Sequence, residues 1–405
     1  MKRTSIPLSE RKNLVIESPI RKLVPYADAA KRAQIKVFHL NIGQPDIETV
    51  PAMKQAYSRP PEIIAYGPSQ GLPELREKFA EYYQRHGLRL DMENIYVTSG
   101  GSEAIIFALM AVTSPGDEII IPEPYYANYN GFAAMSGAKI VPVTSRIEEG
   151  FHLPEIEEFE KAVGPHSKAI MFSNPGNPSG AVFSRERLQE LVAFARRHDL
   201  FIISDEVYRE FTYEGRTAIS IMDFEGIEEN AIMVDSVSKR YSACGARIGT
   251  LVSRNQEVLD LVLRFAQARL CPPTVDQIAV AAAINNSDEY LERVRFEYKA
   301  RRDFMVERLQ AIDGVRVSLP EGAFYIIAEL PVEDTEEFAV WMLRDFHLDG
   351  ETLMVAPALG FYASPDLGKK QIRLAYVLTR DKLERAVRIL KAALESYAQE
   401  NNTTH

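Results

Sequence analysis

The stretch Asp235-Ser-Val-Ser-Lys-Arg-Tyr-Ser-Ala-Cys-Gly-Ala-Arg-Ile-Gly249 decides how the rest of the chain is interpreted. It continues from the apolar run Ala231 to Val234, which predicts a buried strand. Lys239 lies just beyond the end of that strand, and Arg247 follows it eight residues later. Most lysines are solvated surface charges, but a lysine that follows a buried strand among hydroxyl groups and near an arginine predicts an amine that reacts.

Two more polar residues follow predicted strands. Asn177 comes after the strand Ala169 to Ser173, and Asp205 comes after the apolar run Phe201 to Ile203. Ligands bind at the carboxyl ends of the strands in open α/β sheets. We therefore expect these two side chains and Lys239 to meet at one edge of a sheet, although Asp205 by itself is also typical of a turn or a helix N-cap.

A glycine turn predicts an anion site. The segment Ser99-Gly-Gly-Ser-Glu103 stands between the predicted strand Asn94 to Thr98 and a helix with apolar residues at helical spacing. Free N–H groups and the positive end of the helix dipole meet at such a helix start. Many glycine turns merely cap helices, but the chain has no competing Walker-A or GxGxxG motif. We expect Gly101 and Ser102 to be donors to a phosphate.

Length and composition exclude several classes of protein. A chain of 405 residues is long enough for two domains. A net charge of −10 argues against a nucleic-acid partner. The apolar run Ala104 to Val112 has nine residues, too few to cross a membrane. The seven histidines lack zinc-binding spacing, so we expect no metal site. The two cysteines form no CxxC motif, which fits a reducing, cytoplasmic setting.

The lysine stretch has the pattern Ser-x-Ser-Lys-x-Tyr-x-x-x-Gly-x-Arg-x-Gly, and it resembles the cofactor-lysine segment of the class I and II aminotransferases, which bind pyridoxal 5'-phosphate (PLP). The segment Asn177 to Gly180 matches that family's Asn-Pro-[Ser/Thr]-Gly pattern. The resemblance runs in order from Gly43 to Arg373. It implies an α/β fold, in which a large domain holds a mostly parallel seven-stranded sheet flanked by helices and a smaller α/β domain is built from both termini.

The resemblance also implies how the chain is divided. We expect residues 1–50 to be an N-terminal segment contributing to the small domain, residues 51–290 to form the large PLP-binding domain, and residues 291–405 to form the small C-terminal domain. Within the last of these, the pattern predicts a strand from Gly322 to Ala328.

The resemblance implies a role in the chemistry for each matched residue. Lys239 forms a Schiff base with the PLP aldehyde and later carries the proton from the substrate Cα. Asp205 faces the pyridine nitrogen and keeps it protonated, which makes the ring an electron sink. Tyr208 and Asn177 donate to the phenolic oxygen of the cofactor, and Tyr126 stacks against its ring.

A second set of matched residues is implied to hold the cofactor phosphate. It consists of Gly101, Ser102, Ser236, Ser238 and Arg247. Tyr66, in the loop Ala65 to Arg76, matches a family tyrosine that reaches the phosphate of a neighbouring subunit. A homodimer is implied because Tyr66 has no such role within its own chain.

The substrates implied are an amino acid and a 2-oxo acid. Arg373 grips the α-carboxylate of the substrate in two hydrogen bonds, and Gly43 and Asn177 lie beside it.

The amino donor is predicted less directly. Some aspartate-using members carry a lysine where this chain has Ser102, so a distal carboxylate needs another cation. Arg21 and Arg269 are the two candidates, although either is equally typical of a surface arginine or an interface ion pair. We expect aspartate, or glutamate, as the donor and 2-oxoglutarate or oxaloacetate as the acceptor.

Other functions stay open on the sequence. An aromatic or broad-specificity aminotransferase is the main alternative, followed by a PLP-dependent lyase or synthase on the same scaffold. A regulator with an aminotransferase-like domain is disfavoured because only a short segment precedes Gly43, and a Rossmann oxidoreductase is disfavoured because no strand is followed by GxGxxG.

Overall fold

The computed structural model describes residues 8–15 and 17–403, so residues 1–7, 16, 404 and 405 of the predicted terminal segments lie outside it. The strands are β1 Lys36–His39, β2 Ile95–Thr98, β3 Glu118–Glu123, β4 Lys139–Thr144, β5 Ser167–Ser173, β6 Phe201–Asp205, β7 Ala231–Ser236, β8 Gly249–Ser253, β9 Arg316–Val317, β10 Tyr325–Glu329, β11 Glu351–Met354, β12 Ala356–Pro357 and β13 Gln371–Ala375. The helices are α1 Val24–Arg32, α2 Pro51–Tyr57, α3 Pro73–Arg85, α4 Gly101–Val112, α5 Asn128–Ser136, α6 Ile156–Ala162, α7 Arg185–Arg197, α8 Val237–Arg240, α9 Gln256–Arg269, α10 Thr274–Ala283, α11 Asp288–Gln310, α12 Thr335–Arg344 and α13 Arg380–Thr403.

The largest sheet has seven strands in the order β2-β8-β7-β6-β5-β3-β4. Strand β8 runs antiparallel to β2 and to β7, and the other neighbouring pairs are parallel. Strands β6 and β7 lie near its centre, and almost all of their side chains are buried, as expected for parallel strands covered on both faces. The prediction of a mostly parallel seven-stranded sheet is confirmed.

The register of the central strands brings the predicted polar residues to one edge. Ser173, the last residue of β5, pairs with Asp205, the last residue of β6. Strand β7 runs parallel to β6 and leads directly into α8, which carries Lys239. Because the carboxyl ends of β5, β6 and β7 share this edge, Asn177, Asp205 and Lys239 meet there, as we expected.

The helix α4 begins immediately after β2 and Gly100, whose φ of 84° lies in the left-handed region that favours glycine. A β-carbon at Gly249 would lie 2.6 Å from the Gly101 nitrogen. The backbones of the two segments therefore touch, and the start of α4 lies against the strand that follows the lysine stretch.

A smaller unit combines segments from both ends of the chain. Strand β1 pairs in parallel with β11, and α1 packs on α12. Beside this pair, a four-stranded sheet has the order β12-β13-β10-β9 and carries Arg373 on β13. The prediction of a small α/β unit built from both termini is confirmed, whereas the exact boundaries after residues 50 and 290 stay a prediction.

One predicted strand is shorter in the structure. The run Gly322 to Ala328 was expected to be extended throughout, but β10 begins only at Tyr325. Ala323 has a φ of 54°, a left-handed conformation that a strand cannot contain. The turn that results places Tyr325 at the start of the strand.

Within residues 8–15 and 17–403, no helix is both long enough and apolar enough to cross a bilayer.

Candidate active site

A cavity of about 190 Å³ lies at the carboxyl edge of the large sheet, against the smaller unit. We call it the pocket. The predicted site residues that line it are Arg21, Gly43, Gly101, Ser102, Tyr126, Asn177, Asp205, Tyr208, Ser236, Ser238, Lys239, Arg247 and Arg373. The other residues that line it are Ile20, Ile42, Ile105, Val207, Cys244 and Tyr325.

Lys239 is held at the pocket by the one-turn helix α8. The Oγ of Ser236 accepts a hydrogen bond of 3.2 Å from the Ser238 N–H and so caps this helix. The Lys239 Nζ donates to the backbone oxygen of Gly43 at 2.6 Å and lies 3.6 Å from the Cys244 sulfur. The amine is therefore half-buried, and its hydrogen bond to a backbone carbonyl fixes the direction of the side chain.

Asp205 forms a buried carboxylate at the end of β6. Its Oδ2 accepts a hydrogen bond of 2.8 Å from the Tyr129 hydroxyl, and its Oδ1 accepts one of 3.4 Å from the Val207 N–H. Burial raises the pKa of this carboxyl group to about 6, and the hydrogen bond from Tyr129 opposes that rise. A cationic group facing Asp205 would stabilise its charged form, so the position fits a protonated ring nitrogen.

Hydroxyl groups, an arginine and a helix start converge in another part of the pocket lining. Ser236 donates to the Ser238 Oγ at 2.9 Å, and the Arg247 Nη1 donates to the same Oγ at 3.4 Å. A β-carbon at Gly100 would lie 2.1 Å from the Arg247 Nη2, so a larger residue in the turn before α4 would have to displace the Arg247 guanidinium. The first N–H groups of α4 have no partner within the helix, and the set therefore fits a phosphate.

Arg373 is a buried cation without a carboxylate partner. Its side chain is 1% exposed. Its Nη1 donates to the Asn177 Oδ1 at 3.0 Å, and its Nη2 donates to the backbone oxygen of Asn41. In the part of the chain that the structure describes, its Nε has no hydrogen-bond acceptor and no salt bridge reaches it. Burial lowers its pKa. A buried guanidinium of this kind fits a carboxylate supplied by a ligand.

Tyr325 is a pocket residue that the sequence did not indicate. Its hydroxyl lies 2.7 Å from the Tyr208 hydroxyl, and its ring centre lies 4.5 Å from the guanidinium carbon of Arg373. A β-carbon at Gly43 would lie 1.8 Å from the Tyr325 hydroxyl, which explains the glycine there. The sequence predicts a strand here but does not show that Tyr325 reaches the pocket. Tyr325 comes close to Arg373 only because β10 pairs with β13.

Tyr126 forms part of the wall of the pocket between Asp205 and Arg373. Its ring packs edge-on against Tyr129 with centroids 5.6 Å apart, and its hydroxyl accepts a hydrogen bond of 2.8 Å from Asn128. Burial raises its pKa to about 12, so it stays neutral. The position is compatible with packing against a planar cofactor ring, which stays a prediction.

The structure does not bring Tyr66 or Arg269 into the pocket of its own chain. Tyr66 is 81% exposed, next to the exposed side chains of Ile63 and Ile64. The Arg269 Nε lies 3.3 Å from a Glu103 carboxylate oxygen, and its Nη2 donates to the Ser69 oxygen. Arg269 thus has an ion pair and lies outside the pocket of its own chain, and its role in binding substrate stays a prediction.

Arg21 differs from Arg269 in its position and in its contacts. It lines the pocket, and among the residues that the structure describes its guanidinium has no hydrogen bond or ion pair. Its neighbours in the wall include Ile20 and Ile42, which are apolar.

Comparisons with known proteins agree with this arrangement. The family model described as aminotransferase class I and II matches residues 35–390. Aspartate aminotransferase of Pyrococcus horikoshii is 30% identical over 96% of this chain and 97% of its own length, and aromatic-amino-acid aminotransferase 2 of Thermococcus litoralis is 32% identical over 96% and 98%. The solved alanine aminotransferase of Pyrococcus furiosus is 30% identical, with a TM-score of 0.88 over 96% of this chain and 100% of that one. Aspartate aminotransferase of Thermus thermophilus with maleate is 28% identical, with a TM-score of 0.85 over the same shares.

Proposed function

Since the chain belongs to the class I and II aminotransferase family and is a PLP-dependent aminotransferase, we propose that it moves an amino group from aspartate or glutamate to 2-oxoglutarate or oxaloacetate. The observation that supports an acidic substrate is Arg21, which lines the same pocket as Arg373 and whose guanidinium has no hydrogen bond or ion pair to any residue that the structure describes.

Three groups of residues would hold PLP. Asp205 would face the ring nitrogen, and Tyr208 and Asn177 would bind the phenolic oxygen. The phosphate would lie among the α4 start, Ser236, Ser238 and Arg247. When bound, PLP supplies an electron sink for the electron pair left at the substrate Cα. The buried carboxylate with a raised pKa and the convergent donors support this assignment.

Lys239 would first bind the cofactor and then move a proton. Its half-buried amine donates to the Gly43 oxygen, so a backbone carbonyl already fixes its direction. Once a substrate amine replaces it, the free Nζ can take the proton from the substrate Cα and return it to the cofactor side.

Arg373 and Arg21 would bind the two carboxylates of an acidic substrate. Arg373 would take the α-carboxylate, because it is buried and has no carboxylate partner in the described chain. Arg21 would take the distal one, and leaving that carboxylate buried without a cation would cost several kcal/mol. Maleate, the ligand named with the Thermus thermophilus relative, is also a dicarboxylate.

A second copy of the chain would complete the site. Tyr66 and its neighbours Ile63 and Ile64 are 67–81% exposed, which is unusual for three large side chains so close together. Their burial in a homodimer would carry Tyr66 to the phosphate of the partner. Cys244 and Cys271 are both free, which supports a reducing, cytoplasmic location.

An aromatic or broad-specificity donor is the second candidate. Ile20, Ile42 and Ile105 line the pocket together and would pack against an apolar side chain. The Thermococcus litoralis relative is named for aromatic amino acids. The family assignment gives no support to the lyase or synthase.

A panel of amino donors tests the proposal. Aspartate, glutamate, alanine and phenylalanine are compared with 2-oxoglutarate as acceptor, using the wild type, Arg21→Leu and Arg269→Leu. Arg21→Leu should lose about 2–4 kcal/mol in kcat/KM for aspartate and little for phenylalanine. Arg269→Leu is the companion variant, because Arg269 is the other candidate and does not line the pocket of its own chain; a loss for aspartate confined to Arg21→Leu assigns the distal carboxylate to Arg21. An unchanged aspartate-to-phenylalanine ratio in Arg21→Leu, or a wild type that prefers phenylalanine, would favour the second candidate.

A further inference from the structure

A group of buried charged side chains lies behind the pocket, and we call it the rear cluster. Its charged members are Glu206, Arg209, Glu210, Asp235 and Arg240, and Tyr82 and Tyr83 of α3 pack on them. None of these residues lines the pocket. A buried network of this size needs an explanation, because unpaired or imperfectly paired charges are costly in a protein interior.

The rear cluster and the pocket are built from alternate residues of the same segments. Glu206 follows Asp205, Arg209 follows Tyr208, Asp235 precedes Ser236, and Arg240 follows Lys239, and the second residue of each pair named here lines the pocket. Asp235 and Ser236 are successive residues of β7, so their side chains point to opposite faces of the sheet. In each of the four pairs, one residue makes charged contacts in the rear cluster while its neighbour in sequence lines the pocket.

Arg240 contacts three other members of the rear cluster. Its side chain is 1% exposed, and its Nη2 lies 2.5 Å from the Asp235 Oδ2. Its Nε lies 3.4 Å from a Glu210 carboxylate oxygen, and its guanidinium carbon lies 4.3 Å from the centre of the Tyr82 ring. Asp235 is fully buried and also accepts a hydrogen bond of 3.0 Å from the Tyr83 hydroxyl.

The helix that carries Lys239 is held at its end by backbone hydrogen bonds of 3.1 Å, from the Tyr241 N–H to the Val237 oxygen and from the Ala243 N–H to the Ser238 oxygen. Helix α8 has four residues, and a single helical turn is not stable by itself. Ser236 caps its start, the Val237 N–H donates to the Ile248 oxygen at 3.2 Å, and Arg240 anchors its end. In the described part of the chain the Arg240 Nε and Nη1 form no hydrogen bond, so the guanidinium is held mainly through its Nη2 contact with Asp235.

We propose that Arg240, clamped by Asp235, is a positioning residue that fixes the last turn of α8 and thereby directs the Lys239 amine into the pocket. The proposal rests on the proposed function, in which Lys239 is the amine that takes PLP. It concerns how fast and how accurately Lys239 reaches the cofactor, and it assigns Arg240 no contact with cofactor or substrate.

The test measures how fast PLP becomes attached to Lys239 in cofactor-free protein. The amine and the PLP aldehyde form a C=N bond with loss of water, and borohydride reduces that bond to a stable amine that mass spectrometry can locate. The variant is Asp235→Asn/Arg240→Met, which removes both charges of the clamp together. We expect attachment at least tenfold slower than in the wild type, and a lower kcat with little change in KM.

Arg302→Met is the matched control. Arg302 is also a buried arginine, 2% exposed and paired with Glu214 and Asp303, but neither it nor these partners line the pocket. It should lower the thermal midpoint and leave the rate of PLP attachment unchanged. Arg240→Lys keeps a cation near Asp235 and should recover part of the lost rate.

The outcomes separate the inference from the function on which it rests. If the double variant melts at a lower temperature but takes PLP as fast as Arg302→Met does, Arg240 is only structural and the inference is overturned. If the double variant does not fold, Asp235→Asn alone decides, and attachment at the Arg302→Met rate overturns the inference in the same way. A wild type that attaches no PLP at Lys239 instead contradicts the proposed function.

Discussion

The hydroxyl groups of Tyr208 and Tyr325 lie 2.7 Å apart in the pocket, where the large sheet meets the small unit. Burial raises the pKa of Tyr208, and the neighbouring Tyr325 raises it further, so Tyr208 stays a neutral hydroxyl that can donate. If the Tyr325 hydroxyl donates to the Tyr208 oxygen, the Tyr208 proton stays free to donate to the cofactor. The bond from Tyr325 would also make Tyr208 a stronger donor, because chains of hydrogen bonds strengthen one another.

This pair gives the first prediction. Tyr325→Phe keeps the ring that packs on Arg373 and removes only the hydroxyl. We expect the pH at which the visible absorbance of the bound cofactor changes to rise, and kcat to fall about three- to tenfold, the cost of one net hydrogen bond. A pH titration of the absorbance spectrum measures the first effect. An identical titration curve for the wild type and Tyr325→Phe would show that the pair has no such role.

The second prediction concerns the cofactor-free protein and Asp205. Burial raises the pKa of this carboxyl group from 3.8 to about 6. Between these values the folded state binds more protons than the unfolded chain, so its contribution to stability falls as the pH rises through that range. Asp205→Asn removes the penalty and should stabilise the cofactor-free protein at pH 7.5 relative to the wild type, by up to about 3 kcal/mol.

Denaturant unfolding at pH 4 and at pH 7.5 measures this difference. The stabilisation by Asp205→Asn should be small at pH 4, where the wild-type carboxyl group is already protonated in the folded state. The same variant should slow transamination strongly, because an amide cannot stabilise a cationic ring nitrogen. If the difference in unfolding free energy between Asp205→Asn and the wild type were the same at pH 4 and at pH 7.5, the assigned pKa shift would be contradicted.

The third prediction is steric. Gly100 has a left-handed φ of 84°, and a β-carbon there would lie 2.1 Å from the Arg247 Nη2. Gly100→Ala should therefore displace Arg247 and weaken PLP binding at least tenfold. Gly87→Ala is the control, because Gly87 has the same φ but no atom within 4 Å of the added carbon. Equilibrium binding of PLP to both variants, each checked for folding, distinguishes displacement of Arg247 from backbone strain.

The fourth prediction tests the second subunit. If Tyr66 of one copy serves the site of the other, Tyr66→Ala and Lys239→Ala each inactivate the enzyme as pure dimers. Unfolding and refolding the two variants together yields mixed dimers, and each mixed dimer contains one site with both residues intact. An equal mixture should recover about a quarter of the wild-type activity by random pairing. No recovery on mixing would place Tyr66 outside the site of the partner.

Much of this site was predictable because its residues occur in short patterns that follow strands. Asn177, Asp205 and Lys239 each follow an apolar run, and parallel strands bring their carboxyl ends to one edge. The glycine turn at Gly100 was visible for the same reason. These predictions needed only local sequence and one rule about sheets.

The remaining features depend on contacts between distant segments. Tyr325 reaches Tyr208 across 117 residues, and the pairing of Arg240 with Asp235 has no signal in the sequence. Arg21 and Arg269 were equivalent in the sequence, and the structure distinguishes them because Arg21 lines the pocket whereas Arg269 pairs with Glu103 outside it. Side-chain partners of this kind follow from tertiary packing, which local patterns do not encode.

The most direct test of the account is to find which residue takes PLP. Wild-type protein is incubated with PLP, reduced with borohydride, digested and mapped by mass spectrometry, and transamination is measured in parallel for Lys239→Ala. The account predicts attachment at Lys239 in the wild type, retention of PLP without attachment in Lys239→Ala, and a loss of rate on the order of 10³-fold or more in that variant. Attachment at another lysine, or turnover of Lys239→Ala near the wild-type rate, would contradict it.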